Sequence, residues 1–152
     1  MELVVSQTTG SKSQELEAVT WLRSRSVLVR PAGGGVSPLT PSECAIYLAE
    51  VPDWELRNDG RIVVRRFHFP DYRAALAFAN AVSVLAEQTW HHPELALGFG
   101  FCEVSMTTRK IGGLHESDFV MAARIDALAS GPLDSAWLPP LPPPKSTRPK
   151  AW

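Results

Sequence analysis

The sequence predicts an α+β domain, an antiparallel four-stranded sheet with helices packed on one face, in the order α-β-β-α-β-β-α. Three observations carry this. Apolar side chains recur at helical spacing between Arg73 and Thr89. Two pairs of short alternating segments, 54–56 with 62–69 and 95–99 with 102–106, are each joined through a glycine-containing turn. Capped, shorter helical patterns precede the first pair and follow the second. Residues 1–38 form an N-terminal arm with a Gly/Pro linker, residues 39–130 the domain, and residues 131–152 a Pro-rich C-terminal tail.

In chain order, the arm mixes Ser, Thr and Gly, and a short helix over Ser13–Arg23 fits the spacing of Leu16, Val19 and Leu22. The breaker run Pro31–Pro38 reads as a linker. Thr40 and Ser42 can cap a first helix carrying Ile46, Leu48 and Ala49, which Pro52 ends. Trp54-Glu55-Leu56 begins a strand, and Asn58-Asp59-Gly60 is a hairpin turn because Asn and Gly accept positive φ. Ile62 to Phe69 is the second strand, with Val63, Phe67 and Phe69 on one face. The main helix places Tyr72, Ala75, Leu76, Ala79, Val82 and Ala86 on one stripe. Leu95, Leu97 and Phe99 alternate, Gly98 and Gly100 turn the chain, and Cys102, Val104 and Met106 alternate again. The Cys102 strand is expected at a sheet edge, free to pair with a second copy in a homodimer or larger assembly. Gly112-Gly113 breaks the chain before a last helix, Ser117 to Ala129, with Phe119, Ala122, Ala123 and Ile125 for the core. In the tail, Leu138 to Lys145 favours polyproline II, either as a disordered or surface-hugging tail or as a docking peptide for an aromatic groove on a partner, flanked by Trp137 and Trp152.

Composition narrows the function. With 152 residues, 45% hydrophobic and 20% charged, and a net charge of −1, the chain has an ordinary globular balance and no basic stripe for nucleic acid. No apolar run reaches the roughly 20 residues of a membrane span, and the start lacks a signal-peptide pattern. Cys44 and Cys102 are too few for a disulfide framework and read as buried thiols in a reducing cytoplasm.

The segment Glu87-Gln88-Thr89-Trp90-His91-His92-Pro93 stands out. Its bland reading is a polar loop. The sharper one uses Pro93 to hold His92 extended, so that one histidine faces a cleft, while Glu87, one turn back, holds an imidazole tautomer. His68 and His115 lie in separate contexts, so no metal and no cofactor are implied.

These residues carry a resemblance to the pterin-4a-carbinolamine dehydratase family. It runs through Pro52-Asp53-Trp54, Arg66-Phe67-His68-Phe69, Ala77-Phe78-Ala79-Asn80, Glu87-x-x-x-His91-His92-Pro93, Thr107-Thr108 and Gly112-Gly113-Leu114-x-x-x-Asp118-Phe119. The resemblance implies a pterin pocket with Glu87, His91, His92 and Pro93 as ligand-binding residues and His91 and His92 as catalytic ones. The family's third histidine follows the Thr-Thr pair, where this chain has Arg109. His115 stands at the position of the family's helix-capping threonine and is no obvious substitute.

Removing water from a 4a-hydroxytetrahydropterin needs a proton delivered to the hydroxyl and another taken from the ring, work suited to histidine. Arginine cannot relay protons but suits a carboxylate or phosphate. The resemblance with an incomplete site therefore implies a non-catalytic assembly factor of the α-carboxysome type. Its client would be the Rubisco large subunit, and its location the bacterial cytosol, with association to carboxysomes. The alternative is an active 4a-hydroxytetrahydrobiopterin dehydratase acting on a small-molecule pterin.

Overall fold

A computed structural model describes residues 35–133. The helix expected over Ser13–Arg23 and the proline-rich tail lie outside the described residues.

Helix α1 spans Pro41–Leu48. Thr40, not Ser42, is its N-cap: the Thr40 hydroxyl accepts from the Glu43 amide at 3.3 Å, and the Glu43 carboxylate accepts from the Thr40 amide at 2.8 Å. The Thr40 amide and hydroxyl, each donating to the Glu43 carboxylate at 2.8 Å, hold that carboxyl below its ordinary range. Ile46 is about half exposed, and α1 buries Cys44, as expected of that thiol. Tyr47 stacks on Phe119 at 5.4 Å, which rolls the Cys44 side of this short helix inward.

Strands β1 (Glu55–Arg57) and β2 (Ile62–His68) pair antiparallel with Glu55 opposite Val64 and Arg57 opposite Ile62. Asn58, Asp59 and Gly60 all take positive φ (53°, 54° and 76°), the conformation that Asn, Asp and Gly tolerate best. Asp71 caps helix α2, Tyr72–Thr89, by accepting from the Ala74 amide at 2.8 Å. The buried stripe contains Ala75, Ala79, Val82 and Ala86 as expected, but Tyr72 is exposed. Phe78 supplies the bulk of the stripe, packing on Phe67 at 4.6 Å and Phe69 at 5.1 Å.

Strands β3 (Glu94–Gly98) and β4 (Phe101–Met106) form the second hairpin. Phe99 is in its turn and exposed, not in the strand. Gly98 faces the Phe101 ring so closely that a Cβ there would come within 2.2 Å of it. The four strands lie in the order β1-β2-β4-β3, all antiparallel. This corrects the expected edge. Cys102, Val104 and Met106 lie in an interior strand, because the hairpin after α2 folds β4 inward against β2. The edges are β1 and β3.

Helix α3 spans Glu116–Ser130 and buries Phe119, Val120, Met121, Ala122 and Ile125. Its side chains form one core with Val63 and Phe67 of β2, the α2 stripe and Cys102, Val104 and Met106 of β4. Each fully buried apolar side chain of this size contributes about 1.5–3 kcal/mol. Asp126 ties α3 to the sheet by accepting from Trp54 Nε1 and Arg65 Nη1, each at 2.8 Å. Burial, the largest influence on it, raises the Asp126 carboxyl despite those donors. Burial also pushes the Cys102 thiol up to about 11. By the alternation of the strands, Ile62, Val64, Glu103, Ser105 and Glu94 occupy the opposite, helix-free face.

Candidate active site

Helix α2 ends in a way that separates its two following histidines. Trp90 adopts φ 55°, ψ 35°, the left-handed C-cap conformation. The amides of Trp90 and His91 both donate to the Ala86 carbonyl. The chain reverses there, and successive side chains leave in different directions.

His91 turns into the protein, with its side chain 14% exposed, and its Nε2 lies 2.7 Å from Asp118 Oδ1. The Asp118 side chain is fully buried. Its other oxygen accepts from Thr108 Oγ1 and from the His115 amide, both at 2.8 Å. One carboxylate thus joins the end of α2, the segment after β4 and the start of α3. His115 caps α3, its Nδ1 accepting from the Ser117 amide at 3.2 Å, so it performs the capping role expected of a threonine there.

His92 turns outward. Its Nε2 is 2.8 Å from Glu87 Oε1, and the Trp90 ring meets it edge-on at 5.3 Å. It lines a cavity of about 680 Å³ together with Pro93, Glu94, Thr107 and Arg109. Ile62 and Val64 supply its apolar wall, which places it on the helix-free face of the sheet. This volume lies in the range of small-molecule sites, about 300–1,000 Å³. Arg109 opens a single 3-10 turn, Arg109–Ile111, and pairs with Glu94.

The expected site residues therefore divide. His92, Pro93 and Arg109 meet at one cavity, with Glu87 supporting His92 from outside it. His91 does not line that cavity and bonds to Asp118 in the buried network. Asp118 and Glu94 were not assigned roles from sequence. Asp118 stands three residues after the cap His115, the spacing of a capping box, and that signal could have found it. Glu94 had no local signal, since it reaches Arg109 only through the β3–β4 pairing. Among the described residues, no three His, Cys, Asp or Glu side chains are grouped to hold a metal ion, and no helix is long and apolar enough to cross a membrane.

An open antiparallel sheet backed by helices, with His92 on the wall of a cavity on its bare face, defines an α+β domain of the dehydratase-like fold. The chain belongs to the pterin 4 alpha carbinolamine dehydratase family, whose model matches residues 37–128. A protein of Halorhodospira halophila named "Putative pterin-4-alpha-carbinolamine dehydratase" is 45% identical over 100 residues, covering 66% of this chain and 92% of that one. A crystal structure described as a transcriptional coactivator/pterin dehydratase from Brucella melitensis matches with TM-score 0.58 and 29% identity, over 61% of this chain and 99% of that one. A pterin dehydratase-like protein described as a RuBisCO assembly factor in the alpha-carboxysome matches with TM-score 0.46 and 27% identity, over 53% and 93%. At that score the likeness carries no argument about a client.

Proposed function

We propose that this chain binds a pterin in the His92 cavity and dehydrates 4a-hydroxytetrahydropterin slowly, with one imidazole doing work that two would share. The observation that carries this is His92 on the cavity wall with Glu87 bonded to its Nε2. In the reaction a proton reaches the C4a hydroxyl, water leaves, and a ring proton departs as the C=N bond forms. His92 can give the first proton and take the second. The Arg109 guanidinium supplies charge and hydrogen bonds but no proton exchange. General acid–base assistance is worth about 10²–10⁴-fold, and a single relay forfeits part of it. The relative named as a dehydratase, 45% identical, supports the same activity.

The second reading is a non-catalytic assembly factor that binds a client such as the Rubisco large subunit. Exposure of the Arg109–Glu94 pair, 77% and 69%, favours it, because a client carboxylate could displace Glu94. The domain would be residues 39–130, working as a homodimer or larger, and two buried free thiols suit a reducing cytoplasm.

A dehydratase assay against the uncatalysed rate tests the proposal. Turnover by the wild type, loss of it in His92→Ala and a gain of tenfold or more in Arg109→His are expected. A wild type at the uncatalysed rate, unimproved by Arg109→His, would leave only the binding role.

A further inference from the structure

We infer that the cavity selects a pterin whose side chain ends in an anion, a carboxylate or a phosphate, and that Arg109 reads that anion after letting go of Glu94. This rests on the pterin reading above and adds the substrate class.

Two guanidiniums, Arg57 and Arg109, line the cavity against one carboxylate, Glu94. They differ in how firmly they are held. Arg57 Nε donates to Glu55 at 2.7 Å, and its Nη1 donates to Glu103 at 3.3 Å. Glu103 is little exposed and also accepts from Arg66 at 3.1 Å, so Arg57 is fixed in a network across β1, β2 and β4. Arg109 is paired with Glu94 across the cavity wall, and both side chains are mostly in solvent. An exposed ion pair of this kind contributes little and is easily exchanged.

A ligand anion offers Arg109 a better partner. Carboxylate and phosphate both match the planar fork of a guanidinium, and such two-point charge-assisted contacts are stronger than neutral ones. Ile62 and Pro93, both partly exposed, give a neutral bicyclic ring an apolar surface, and His92 stands on the same wall. The cavity's 680 Å³ leaves room beyond the ring for a substituent. Histidine at position 109 could not perform this role near neutral pH as a permanent cation. The residue that weakens proton transfer thus adds recognition of charge.

Calorimetric titration of the full chain with three probes tests this: pterin-6-carboxylate, the phosphate ester of 6-hydroxymethylpterin, and neutral 6-hydroxymethylpterin. At least one anionic probe should bind ten times more tightly than the neutral one, and added salt should shrink the gap. Whichever anion leads identifies the source. Arg109→Gln should bring the ratio of affinities near one, and Glu94→Gln, which frees the guanidinium, should raise it. Equal binding of all three probes would overturn the inference while leaving the pterin reading intact. A preference that survives Arg109→Gln would equally overturn it. Failure of all three to bind would sink both.

Discussion

Asp118→Ala would remove the acceptor shared by His91, Thr108 and the His115 amide, at a side chain that is fully buried. Each hydrogen bond to a charged group is worth about 1.5–3 kcal/mol, and each buried donor left without a partner costs about 1–3 kcal/mol. His91 is slightly exposed and the Thr108 hydroxyl can rotate, so the donors recover part of this. The expected loss is about 3 kcal/mol, the low end for opening a buried charged network. For a domain of this size that lowers the melting temperature by roughly 12–24 °C. Asp118→Asn should behave differently. Its amide oxygen can still accept from Thr108 and His115, but its NH₂ would then face His91 Nε2. Nε2 must become the acceptor, and the imidazole proton must move to Nδ1. Calorimetry would give the stabilities, and ¹⁵N spectra of the imidazole would give the tautomer. A loss under about 1 kcal/mol in Asp118→Ala, or equal damage from Asp118→Asn, would refute this account of the network.

Stability should fall between pH 9 and about 11 in a manner traceable to Cys102. The fold holds this thiol protonated while the unfolded chain releases its proton, so stability is full below pH 9 and declines as pH rises towards the folded value. Alkaline urea melts should show an extra loss of about 1–2 kcal/mol over that window, absent from Cys102→Ala. A chain cut to residues 35–133 should unfold within about 4 °C of the full one, a shift worth less than 1 kcal/mol; early melting would mean that the arms pack on the core. Light scattering at micromolar concentration should show a dimer or larger, and a charged residue in place of Ala96, on edge strand β3, should reduce it to monomer.

Most of the fold was legible because its signals are local. The Asn58-Asp59-Gly60 turn, the alternation through Cys102, Val104 and Met106 and the periodicity of α2 each fix one element without help from the rest. Strand order is not local. Nothing within residues 102–106 reveals that β3, rather than β4, takes the outer position, and the expected edge failed for that reason. Phe78 was passed over because the small alanines around it dominate the stripe, although it carries more buried surface than any of them. In the site, Glu87 and His92 were legible as neighbours on one helix end. The partner of His91 was not, because Asp118 lies 27 residues away and becomes adjacent only when α3 docks.

The left-handed turn at Trp90 has a consequence for how such chains drift. It gives two identical neighbours separate surroundings: His91 bonds to the buried Asp118, and His92 lines the cavity. A descendant released from dehydration could exchange His92 or Glu87, both open to solvent, at small thermodynamic cost. It could not so easily give up His91, Thr108 or Asp118, which hold three segments together. A surviving first histidine in a related sequence therefore reports that the scaffold persists, whatever has become of the cavity.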